Sequence, residues 1–528
     1  MAVNAEAGEV KKRANELFAQ GSWQAAKSEY TRAIEANDYC PWAVALCNRA
    51  ACELRLEEEG AALSDATSAI SLDPSYTKGY YRRASASIQL GRFKAALKDI
   101  QHVVHAHPFD SSARKKEKEC RLAVQRMRFE QAIAREDGEA TADGSSAASD
   151  SAGPDAAEVD PDSVAVEAEY DGPVLEGENE DVISQQFVHS MLEHFRNERR
   201  LHRKYALRIV HQARDVFQQE SSVVDVPVGK DSGGSGHLTI CGDVHGQYYD
   251  LLNIFHLNGM PSPENPYIFN GDFVDRGSFS VEVILTLLAI KVLYPQSLPL
   301  IRGNHETKSM NRIYGFDGEV KHKYNGAMAQ LFAQTFCALP IAALVGERVL
   351  VLHGGLFSRD DVSLGEIRML DRHREPPEAG LLCEALWSDP QPANGRSPSK
   401  RGVGVAFGPD VTSTFLQYND LDYIVRSHEV KDAGYEVAHD SRCITVFSGT
   451  LARLTLLFLS FLTRNGANLP SCPSCVRNAA PNYCDQMGNK GAYIVLRENL
   501  VPAFHTFSAV PHPNVKPMAY GSPLLGMM

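Results

Sequence analysis

Three short segments share one pattern within residues 240–306. They read Gly242-Asp243-Val244-His245-Gly246, Gly271-Asp272-Phe273-Val274-Asp275-Arg276-Gly277 and Gly303-Asn304-His305-Glu306. Each follows an apolar or β-rich run, at 237–241, 266–270 and 298–302, and each precedes a region that can be helical. A repeated order of strand, glycine turn and helix predicts βαβ units, whose parallel strands end at one edge of a sheet. We therefore expect the polar side chains of these turns to meet: Asp243, His245, Asp272 and Asn304.

These side chains offer oxygen and nitrogen ligands without a thiolate, which suits hard or borderline divalent cations such as Mn, Fe or Zn. One Asp-x-His pair alone is weak evidence, because surface Asp and His residues are common. Three such turns in order, about 30 residues apart and each behind a strand-like run, are far more specific. The spacing therefore predicts a metal site at the carboxyl ends of the strands.

These segments resemble the metallophosphoesterase signature, in the version that serine/threonine phosphoprotein phosphatases use. The match continues through His353-Gly354-Gly355, Trp387-Ser388-Asp389-Pro390, Lys400-Arg401-Gly402-Val403-Gly404, Arg426-Ser427-His428-Glu429 and Ala480-Pro481-Asn482-Tyr483-Cys484. With the N-terminal repeats described below, nearly the whole chain resembles the protein phosphatase 5 family. The resemblance implies an α/β metallophosphoesterase domain, a β-sandwich flanked by helices, that hydrolyses phosphoserine and phosphothreonine in proteins.

The same resemblance implies a centre with two divalent ions, Mn, Fe or Zn. Asp272 bridges the ions, Asp243 and His245 complete the site of one, and Asn304, His353 and His428 complete the site of the other. Two metals about 3.5–4 Å apart can activate a shared water as the nucleophile. The last two histidines again follow hydrophobic strand-like runs, where the other ligands lie.

Further residues gain roles from the resemblance. Arg276 and Arg401 would clamp the phosphoryl oxygens, because developing charge needs fixed cationic donors. His305 would be the general acid for the leaving alkoxide, with Asp275 orienting the imidazole and raising its pKa. Tyr483 would donate a hydroxyl on the substrate side, where His428 also contributes. For Asp389 we expect a structural or loop-positioning role and no part in the chemistry.

Small residues recur at a fixed interval in the first third of the chain. The series are Ala14, Ala50 and Ala84; Ala26, Ala62 and Ala96; and Ala33, Ala69 and Val103. Their intervals of 36 and 34 residues are typical of tetratricopeptide repeats, pairs of antiparallel helices that touch closely at small side chains. We predict three repeats plus a capping helix at about 112–136, an all-α solenoid over residues 8–136 with a concave face. An unrelated helical bundle is the alternative.

Five polar residues on the first helices of the repeats are candidates for partner binding: Lys11, Asn15, Asn48, Lys78 and Arg82. Two of the pairs lie at i, i+4 and so share a helix face. Cations and amides from separate repeats can hold a carboxylate. The positions resemble the carboxylate clamp by which tetratricopeptide domains bind the acidic C-terminal tail of heat-shock protein 90. In the family that the chain resembles, the repeats also inhibit the phosphatase until a chaperone tail lifts them away.

The net charge of −13 is unevenly distributed. Between Glu136 and Asp181 there are sixteen acidic residues and no Lys or Arg, so the rest of the chain carries +3. A segment of this composition cannot bury enough apolar area to fold, and we predict a disordered acidic linker at 137–181. The catalytic domain then spans 182–528. The remaining parts of the chain are nearly neutral in net charge, which does not suggest nucleic-acid binding.

The N-terminal residues 1–13 have no apolar core and do not form a secretory signal. Eleven scattered cysteines, an odd number, do not form the pattern of a disulfide framework. We therefore expect a reducing compartment, the cytosol or the nucleus.

An interruption separates Val446-Phe447-Ser448 from Ala480, where the family pattern would continue directly. The intervening residues 449–479 contain an apolar run, Leu454–Leu462, and the sequence Cys472-Pro473-Ser474-Cys475. Three interpretations remain open: retained intron sequence or an alternatively spliced segment, a membrane-associating insert, or a zinc or redox element. This run of nine residues reaches only about 14 Å as a helix, which is too short to span a bilayer.

The insert leaves two functions open. In the first, the chain is an active phosphatase that heat-shock protein 90 recruits or activates and that its own repeats inhibit. In the second, the insert impairs catalysis and the chain is a chaperone-bound adaptor. All of the predicted catalytic residues are present, which favours the enzyme.

Overall fold

The computed structural model describes residues 2–35, 43–140, 159–175, 182–229, 235–449, 489–513, 515 and 519–521, with side chains described from residue 9 and not at 126–140. The chain divides into two compact units. The first contains the repeats together with Pro398–Val403, and the second contains most of the residues after Pro154. The predicted insert at 449–479 lies outside the described residues except for Gly449.

Seven helices form the repeats of the first unit. They are α1 (Ala2–Ala19), α2 (Trp23–Glu35), α3 (Ala43–Arg55), α4 (Glu59–Leu72), α5 (Thr77–Gln89), α6 (Phe93–Ala106) and α7 (Ser111–Ala140). Each helix packs on the next along the chain. This is the predicted order of three helical pairs and a capping helix, and the extra length of the first interval lies between α2 and α3.

The recurring small residues lie where the helices touch. Ala14, Ala26, Ala50, Ala62, Ala84 and Ala96 are all fully buried, as is Ala69. A larger side chain at these positions would separate the helices, because buried interfaces are packed without spare volume. The repeat period therefore reflects the contacts between helices, and the prediction of tetratricopeptide helices is confirmed.

The second unit contains ten α-helices, a short 3-10 helix (Pro161–Ser163) and thirteen strands in its described residues. The helices are α8 (Gln185–Arg196), α9 (Arg203–Gln219), α10 (Tyr248–Asn258), α11 (Ser280–Leu293), α12 (Lys308–Tyr314), α13 (Phe316–Lys323), α14 (Gly326–Ala338), α15 (Leu364–Arg368), α16 (Leu381–Trp387) and α17 (Pro409–Tyr418). The strands are β1 (Val223–Val226), β2 (His237–Cys241), β3 (Tyr267–Phe269), β4 (Ala342–Val345), β5 (Val349–Leu352), β6 (Asp389–Pro390), β7 (Arg396–Pro398), β8 (Val405–Phe407), β9 (Tyr423–Arg426), β10 (Tyr435–Ala438), β11 (Cys443–Val446), β12 (Gly491–Arg497) and β13 (Ala503–Phe507).

Two larger sheets pack face to face. One has the strand order β1-β4-β5-β9-β11-β10 and the other β13-β12-β2-β3, and a small third sheet has the order β6-β8-β7. Alternate strand residues point to opposite faces. In β3, Ile268 faces the core between the two sheets, whereas Tyr267 and Phe269 face the core beneath α8–α11. Helices α15–α17 cover the other outer face. The predicted β-sandwich flanked by helices is confirmed.

The strands that carry the site are parallel in both sheets: β2 pairs with β3, and β5 pairs with β9. The predicted strand at 298–302 does not form as a strand. A single parallel bridge between Phe269 and Leu300 replaces it. Arg302 ends this run with its guanidinium fully buried and bonded to backbone carbonyls, including that of Arg372 at 3.1 Å. Backbone hydrogen bonds still join this run to β3, from Tyr267 to Ser297 at 2.9 Å and from Phe269 to Pro299 at 3.1 Å. Pro299 has no N–H to donate, which limits the regular ladder at this edge.

The structure corrects the C-terminal part of the predicted linker. Residues 159–175 lie against the second unit, where Val164 and Leu175 are buried in the core beneath α8 and α9. Asp162 forms an ion pair with Arg208. A few apolar side chains anchor this segment, although its average composition is acidic and polar. Residues 141–158 and 176–181 of the predicted linker lie outside the described residues.

No helix in the described part of the chain is long and apolar enough to cross a membrane. The apolar run Leu454–Leu462 lies outside that part.

Candidate functional site

Residues that follow four strands meet in one buried cluster. Asp243 and His245 follow β2, Asp272 follows β3, His353 follows β5, and His428 follows β9. Their side chains, and that of Asn304, are almost completely buried. Parallel strands in two packed sheets bring their carboxyl ends to one place, which explains why residues far apart in the sequence converge.

The turns that carry these side chains have unusual backbone conformations. The φ angle is positive at His245 (41°), Asp272 (51°), Asp275 (72°), Arg276 (67°) and His428 (69°). Non-glycine residues adopt such angles at a cost of about 1–3 kcal/mol each. Backbone strain of this kind is concentrated at sites whose side-chain directions matter for function.

Hydrogen bonds to the backbone determine the tautomers of two imidazoles. Nδ1 of His245 lies 3.0 Å from the carbonyl oxygen of Val274, and Nδ1 of His353 lies 2.7 Å from that of Asn270. A carbonyl oxygen only accepts, so each Nδ1 carries the hydrogen. Each neutral ring then directs the lone pair of Nε2 into the cluster, the arrangement that metal-binding histidines use.

The atoms opposite these lone pairs are also acceptors. Nε2 of His245 lies 3.5 Å from Oδ2 of Asp272 and 3.7 Å from Oδ2 of Asp243. Nε2 of His353 lies 3.3 Å from Oδ2 of Asp272 and 3.0 Å from Oδ1 of Asn304. Acceptors that face one another in a buried space require a cation between them. The residues present therefore fit divalent metal ions.

The amide of Asn304 supports the same conclusion. Its oxygen faces only acceptors, and exchanging the amide oxygen and nitrogen would replace these contacts by hydrogen bonds to Asp272, His353 and His428. A bound cation removes the conflict without that exchange. Two trios have ligand atoms within 4.8 Å of one another: His245, Asp272 and His305, and Asp272, His353 and His428. Asp272 belongs to both trios, which is the position that a bridging carboxylate requires.

Burial changes the protonation of the cluster. Burial and the neighbouring carboxylate of Asp272 together raise the pKa of Asp243 to about 7. Burial also lowers the pKa of His245 well below its usual range, with His305 and Arg276 acting in the same direction. The imidazole is therefore neutral near pH 7, as a metal ligand must be.

A hydrogen-bonded pair lies beside the cluster. Nδ1 of His305 donates to Oδ2 of Asp275 over 2.9 Å. Asp275 is fully buried and also accepts from Nδ2 of Asn311 at 3.0 Å and from the N–H of Phe316 at 2.9 Å. Burial raises the pKa of Asp275 to about 7, and these hydrogen bonds oppose that rise. The imidazole of His305 lies 4.8 Å from that of His245, ring centre to ring centre.

The structure places the remaining predicted residues as follows. The N–H of Arg276 donates to the carbonyl oxygen of Tyr314 at 3.0 Å, and its guanidinium lies 4.2 Å from the ring centre of Tyr314. Arg401 is buried in Pro398–Val403, the stretch that belongs to the first unit. Tyr483 lies outside the described residues. Asp389 pairs with the fully buried Arg426 at 2.8 Å, as its expected structural role requires.

Sequence reasoning missed two residues that hold the catalytic turns. The carboxylate of Glu306 accepts the N–H groups of Asp272, Phe273 and Gly303 at 2.8–2.9 Å and is fully buried. Asn311 donates to Asp275 and to the carbonyl oxygen of His305. The position of Glu306 at the end of the third segment is a signal that could have revealed it. No local signal distinguishes Asn311 from an ordinary helical residue.

The first unit brings together part of the predicted peptide clamp. Asn15 in α1 accepts from Nδ2 of Asn48 in α3 at 3.2 Å and from the hydroxyl of Tyr30 at 2.5 Å. Burial raises the pKa of the Cys47 thiol, and the charges of Arg82 and Lys78 in α5 oppose this rise. Both cations therefore lie near Cys47, the residue before Asn48. The clamp residues thus lie on neighbouring first helices, as the repeat period predicts. Lys11 lies one turn before Asn15 on α1.

Two further cations, which sequence reasoning missed, lie near Arg82. Burial and the charge of Arg82 together lower the pKa of Lys116 to about 8 and also lower that of Arg55. Arg82 therefore lies in a group of cations, and a positive potential of this kind favours an acidic ligand.

Family models match the chain in two places. The calcineurin-like phosphoesterase model matches residues 236–432. The model of the PPP5 TPR repeat region matches residues 117–225.

Curated relatives match almost the whole chain. Serine/threonine-protein phosphatase 5 of Homo sapiens is 48% identical over 525 residues, which cover 99% of this chain and 95% of the human protein. Serine/threonine-protein phosphatase T of Aspergillus oryzae is 45% identical and covers 98% of each chain. Among solved structures, a serine/threonine phosphatase of Saccharomyces cerevisiae is 40% identical with a TM-score of 0.56, covering 64% of this chain and all of its own.

Proposed function

The chain belongs to the serine/threonine-protein phosphatase 5 family of calcineurin-like phosphoesterases, and from that premise we propose a mechanism, a partner and a mode of regulation. It is a protein serine/threonine phosphatase with a tetratricopeptide region and a metallophosphoesterase domain. The observation that carries the proposed mechanism is the buried cluster in which carboxylate, amide and imidazole acceptors face one another.

We propose that this cluster holds two divalent ions, Mn, Fe or Zn. Asp272 would contribute to both positions, Asp243 and His245 would hold one ion, and Asn304, His353 and His428 would hold the other. When bound, the ions supply Lewis acidity and lower the pKa of water so that it can attack phosphorus. The protein holds the neutral imidazoles in the required tautomer through the carbonyl groups of Val274 and Asn270.

His305 then protonates the leaving serine or threonine oxygen from Nε2. Its Nδ1–H is held by Asp275, so the ring cannot rotate and Nε2 faces the cluster. The carboxylate of Asp275 stabilises the positive charge of the imidazolium form. Asn311 and the N–H of Phe316 keep this carboxylate in position on its other side.

We assign the binding of the phosphoryl oxygens to Arg276 and Arg401, with His428 and Tyr483 on the substrate side. The backbone and ring of Tyr314 hold Arg276, so its guanidinium is positioned before substrate arrives. A planar guanidinium can donate two parallel hydrogen bonds to a phosphate, which neither lysine nor a neutral amide reproduces.

We infer that the first unit binds the acidic C-terminal tail of heat-shock protein 90. The clamp of Lys11, Asn15, Asn48, Lys78 and Arg82 lies beside the additional cations Arg55 and Lys116. We also infer that the repeats restrain catalysis through Pro398–Val403, the stretch that contains Arg401. The N–H of Ala61 in α4 donates to the carbonyl oxygen of Lys400 at 2.7 Å, directly before that arginine.

Gly60 offers a test of this restraint. A Cβ atom at Gly60 would lie 2.3 Å from the backbone nitrogen of Gly402, closer than real contacts allow. The variant Gly60→Ala is therefore expected to raise basal phosphatase activity and to reduce further activation by the tail peptide. Unchanged basal activity, in a preparation that the peptide still activates, would argue against the restraint.

The insert does not favour the adaptor alternative. Nδ2 of Asn489 donates to the carbonyl oxygen of Gly449 at 2.8 Å, so the two described ends meet. Insertions in loops cost little stability, so the length of the insert does not by itself argue against an active enzyme. Seven described cysteines are free, which agrees with our assignment to the cytosol or nucleus. Association of the apolar run Leu454–Leu462 with membranes stays a prediction.

The central experiment is a paired assay of this chain and a version that lacks residues 449–479. Each receives Mn²⁺, a phosphoserine peptide and the acidic tail pentapeptide of the chaperone, and phosphate release is measured with and without a chelator. Comparable, metal-dependent activation of both versions is expected. Activity of the deletion alone, with peptide bound by both, would instead support the adaptor.

A further inference from the structure

A fully buried arginine stands two residues before one of the proposed metal ligands. Arg426 is the last residue of β9, and its side chain has no exposure to solvent. The ligand His428 follows it in the chain. Burial of a guanidinium is costly unless carboxylates balance its charge and acceptors use its hydrogens. The partners of this arginine must therefore be close and well placed.

Four acceptors surround the guanidinium. Nε donates to the carbonyl oxygen of Gly354 at 2.7 Å, and one terminal nitrogen donates to the carboxylate of Glu429 at 3.1 Å. The other terminal nitrogen donates to the carbonyl oxygen of Ser388 at 3.1 Å and to Oδ1 of Asp389 at 2.8 Å. Two carboxylates thus balance the charge, and the planar fork of the guanidinium reaches all four acceptors at once.

These acceptors connect the two turns that carry histidine ligands. Gly354 directly follows His353, and Arg426 itself belongs to the turn of His428. The segment Trp387–Asp389 packs against the first turn, because a Cβ atom at Gly354 would lie 2.5 Å from the backbone nitrogen of the tryptophan. The arginine therefore joins both ligand turns to one supporting segment.

The same surroundings hold the His428 ring in place. The ring of Trp387 meets this imidazole edge to face, with ring centres 5.5 Å apart and planes at 89°. The imidazole of His353 lies 5.1 Å away, and the N–H of Ser427 donates to the carbonyl oxygen of His353 at 3.0 Å. The φ angle of 69° at His428 is one that a non-glycine residue keeps only when its surroundings hold it.

We propose that Arg426 is a positioning residue for the second metal site, the one that Asn304, His353 and His428 would form. Its guanidinium fixes the two histidine turns relative to each other and holds the Trp387–Asp389 segment against them. This inference rests on the proposed metal centre and extends it, because the arginine acts through the ligand turns rather than as a ligand. Replacement of residues that hold metal ligands typically weakens metal binding by about 10–100-fold.

Lysine cannot reproduce this arrangement. An ammonium group keeps the charge but has no donor at the position of Nε, so the carbonyl oxygen of Gly354 would lose its partner. In Arg426→Lys the Kd of the second ion should therefore rise about 10–100-fold. Binding of the ion at Asp243 and His245 should change far less, because the guanidinium contacts neither of their turns through its side-chain hydrogen bonds.

Arg372 provides a matched control. It is also buried, and its guanidinium also donates to four acceptors, which are the carbonyl oxygens of Phe217, Glu220 and Ala338 and the hydroxyl of Ser222. None of these four residues is a proposed ligand or adjoins one. Arg372→Lys should therefore lower the Tm to a similar degree but retain both ions.

Binding of Mn²⁺ tests the proposal without turnover. Equilibrium dialysis of the full-length chain gives the number of bound ions and their Kd, and electron paramagnetic resonance separates a coupled Mn²⁺ pair from a single ion. His428→Ala, which removes a ligand, provides the reference for a chain without the second ion. Arg426→Lys should approach this reference, whereas Arg372→Lys should match the parent chain. The milder Asp389→Ala keeps the arginine and should shift the Kd in the same direction.

The possible failures of this test are distinguishable. Two coupled ions with the parental Kd in Arg426→Lys, or in Asp389→Ala if the lysine variant does not fold, overturn the positioning role and leave the metal centre intact. An equal loss of the second ion in Arg372→Lys also overturns it, because any buried arginine would then have the same effect. A parent chain that binds fewer than two ions overturns the proposed metal centre together with this inference.

Discussion

The repeat face and the metal cluster each assemble a charged site from distant residues, but they do so under opposite physical conditions. Clamp residues such as Asn15 and Lys78 are exposed on regular helices. Cluster residues such as Asp272 and His353 are buried, and several of them stand on turns with positive φ. An exposed clamp can lose one member and keep its fold. A buried cluster cannot, because each unpaired group carries a large desolvation cost.

The comparison also concerns how charge is tolerated. In the first unit, clamp side chains such as Lys78 lie at the surface, where an acidic partner from outside can reach them. In the second, opposing acceptors are buried together, and divalent ions within the cluster would balance them. Substitutions in the two regions should therefore impair different properties of the protein. Four predictions test this difference, in order of expected effect.

The largest effect is expected from Asp272→Asn. Removal of the carboxylate shared by both trios should lower phosphate release by on the order of 10³-fold or more, because the metal ions supply several kcal/mol of the rate enhancement. Metal content per chain should fall in parallel. Binding of the acidic tail peptide should be unchanged, and a variant that lost both properties would show that the two regions are not independent.

Asp275→Asn should have the next largest effect. General acid catalysis typically contributes about 10²–10⁴-fold, and the loss should appear in kcat with little change in KM. In the parent chain, activity should fall as the pH drops below about 7, because burial raises the pKa of Asp275 to about 7 and its neutral form no longer stabilises the imidazolium. A pH–rate profile of both chains checks this: an unchanged acidic limb in Asp275→Asn would contradict the assignment.

Arg82→Ala should affect the first unit alone. Loss of a charge-assisted hydrogen bond of about 1.5–3 kcal/mol predicts a rise of roughly 10- to 150-fold in the Kd of the tail peptide. Isothermal titration measures this effect, with Lys94→Ala as the matched exposed control. Hydrolysis of a small aryl phosphate should be unaffected. Equal weakening by both variants would indicate general electrostatic attraction rather than a clamp.

The smallest effect concerns Lys116. Burial lowers its pKa to about 8, so between pH 8 and 10.5 the unfolded chain holds a proton that the folded unit has released. The free energy of unfolding of the first unit should therefore rise with pH across this window, by about 1–3 kcal/mol. Denaturant unfolding at several pH values tests this, with Lys116→Met as the variant that removes the rise. A rise that persisted in Lys116→Met would assign it to other groups.

Sequence patterns predicted the two regions with unequal completeness. The repeat period predicted the helices and their contacts, because both depend on local spacing along regular helices; the clamp stays a prediction. The turns after β2 and β3 predicted polar residues that meet in the buried cluster, since parallel strands end at one edge of a sheet; their role as metal ligands is our proposal. The pattern at 298–302 predicted one strand too many: a single bridge joins this run to β3, and Pro299 within it has no N–H for a regular ladder.

The sequence by itself determined the period of the first unit, the order of the strand-end motifs and the donor types of the metal cluster, since these depend on which residue follows which. Only the tertiary structure decided that Glu306 and Asn311 hold the turns of the buried cluster, that Lys116 and Arg55 lie near Arg82, and that residues 159–175 pack onto the second unit. These outcomes depend on burial and on contacts between distant segments. Neither composition nor spacing encodes such contacts, because their energies arise only after the helices and sheets have packed together.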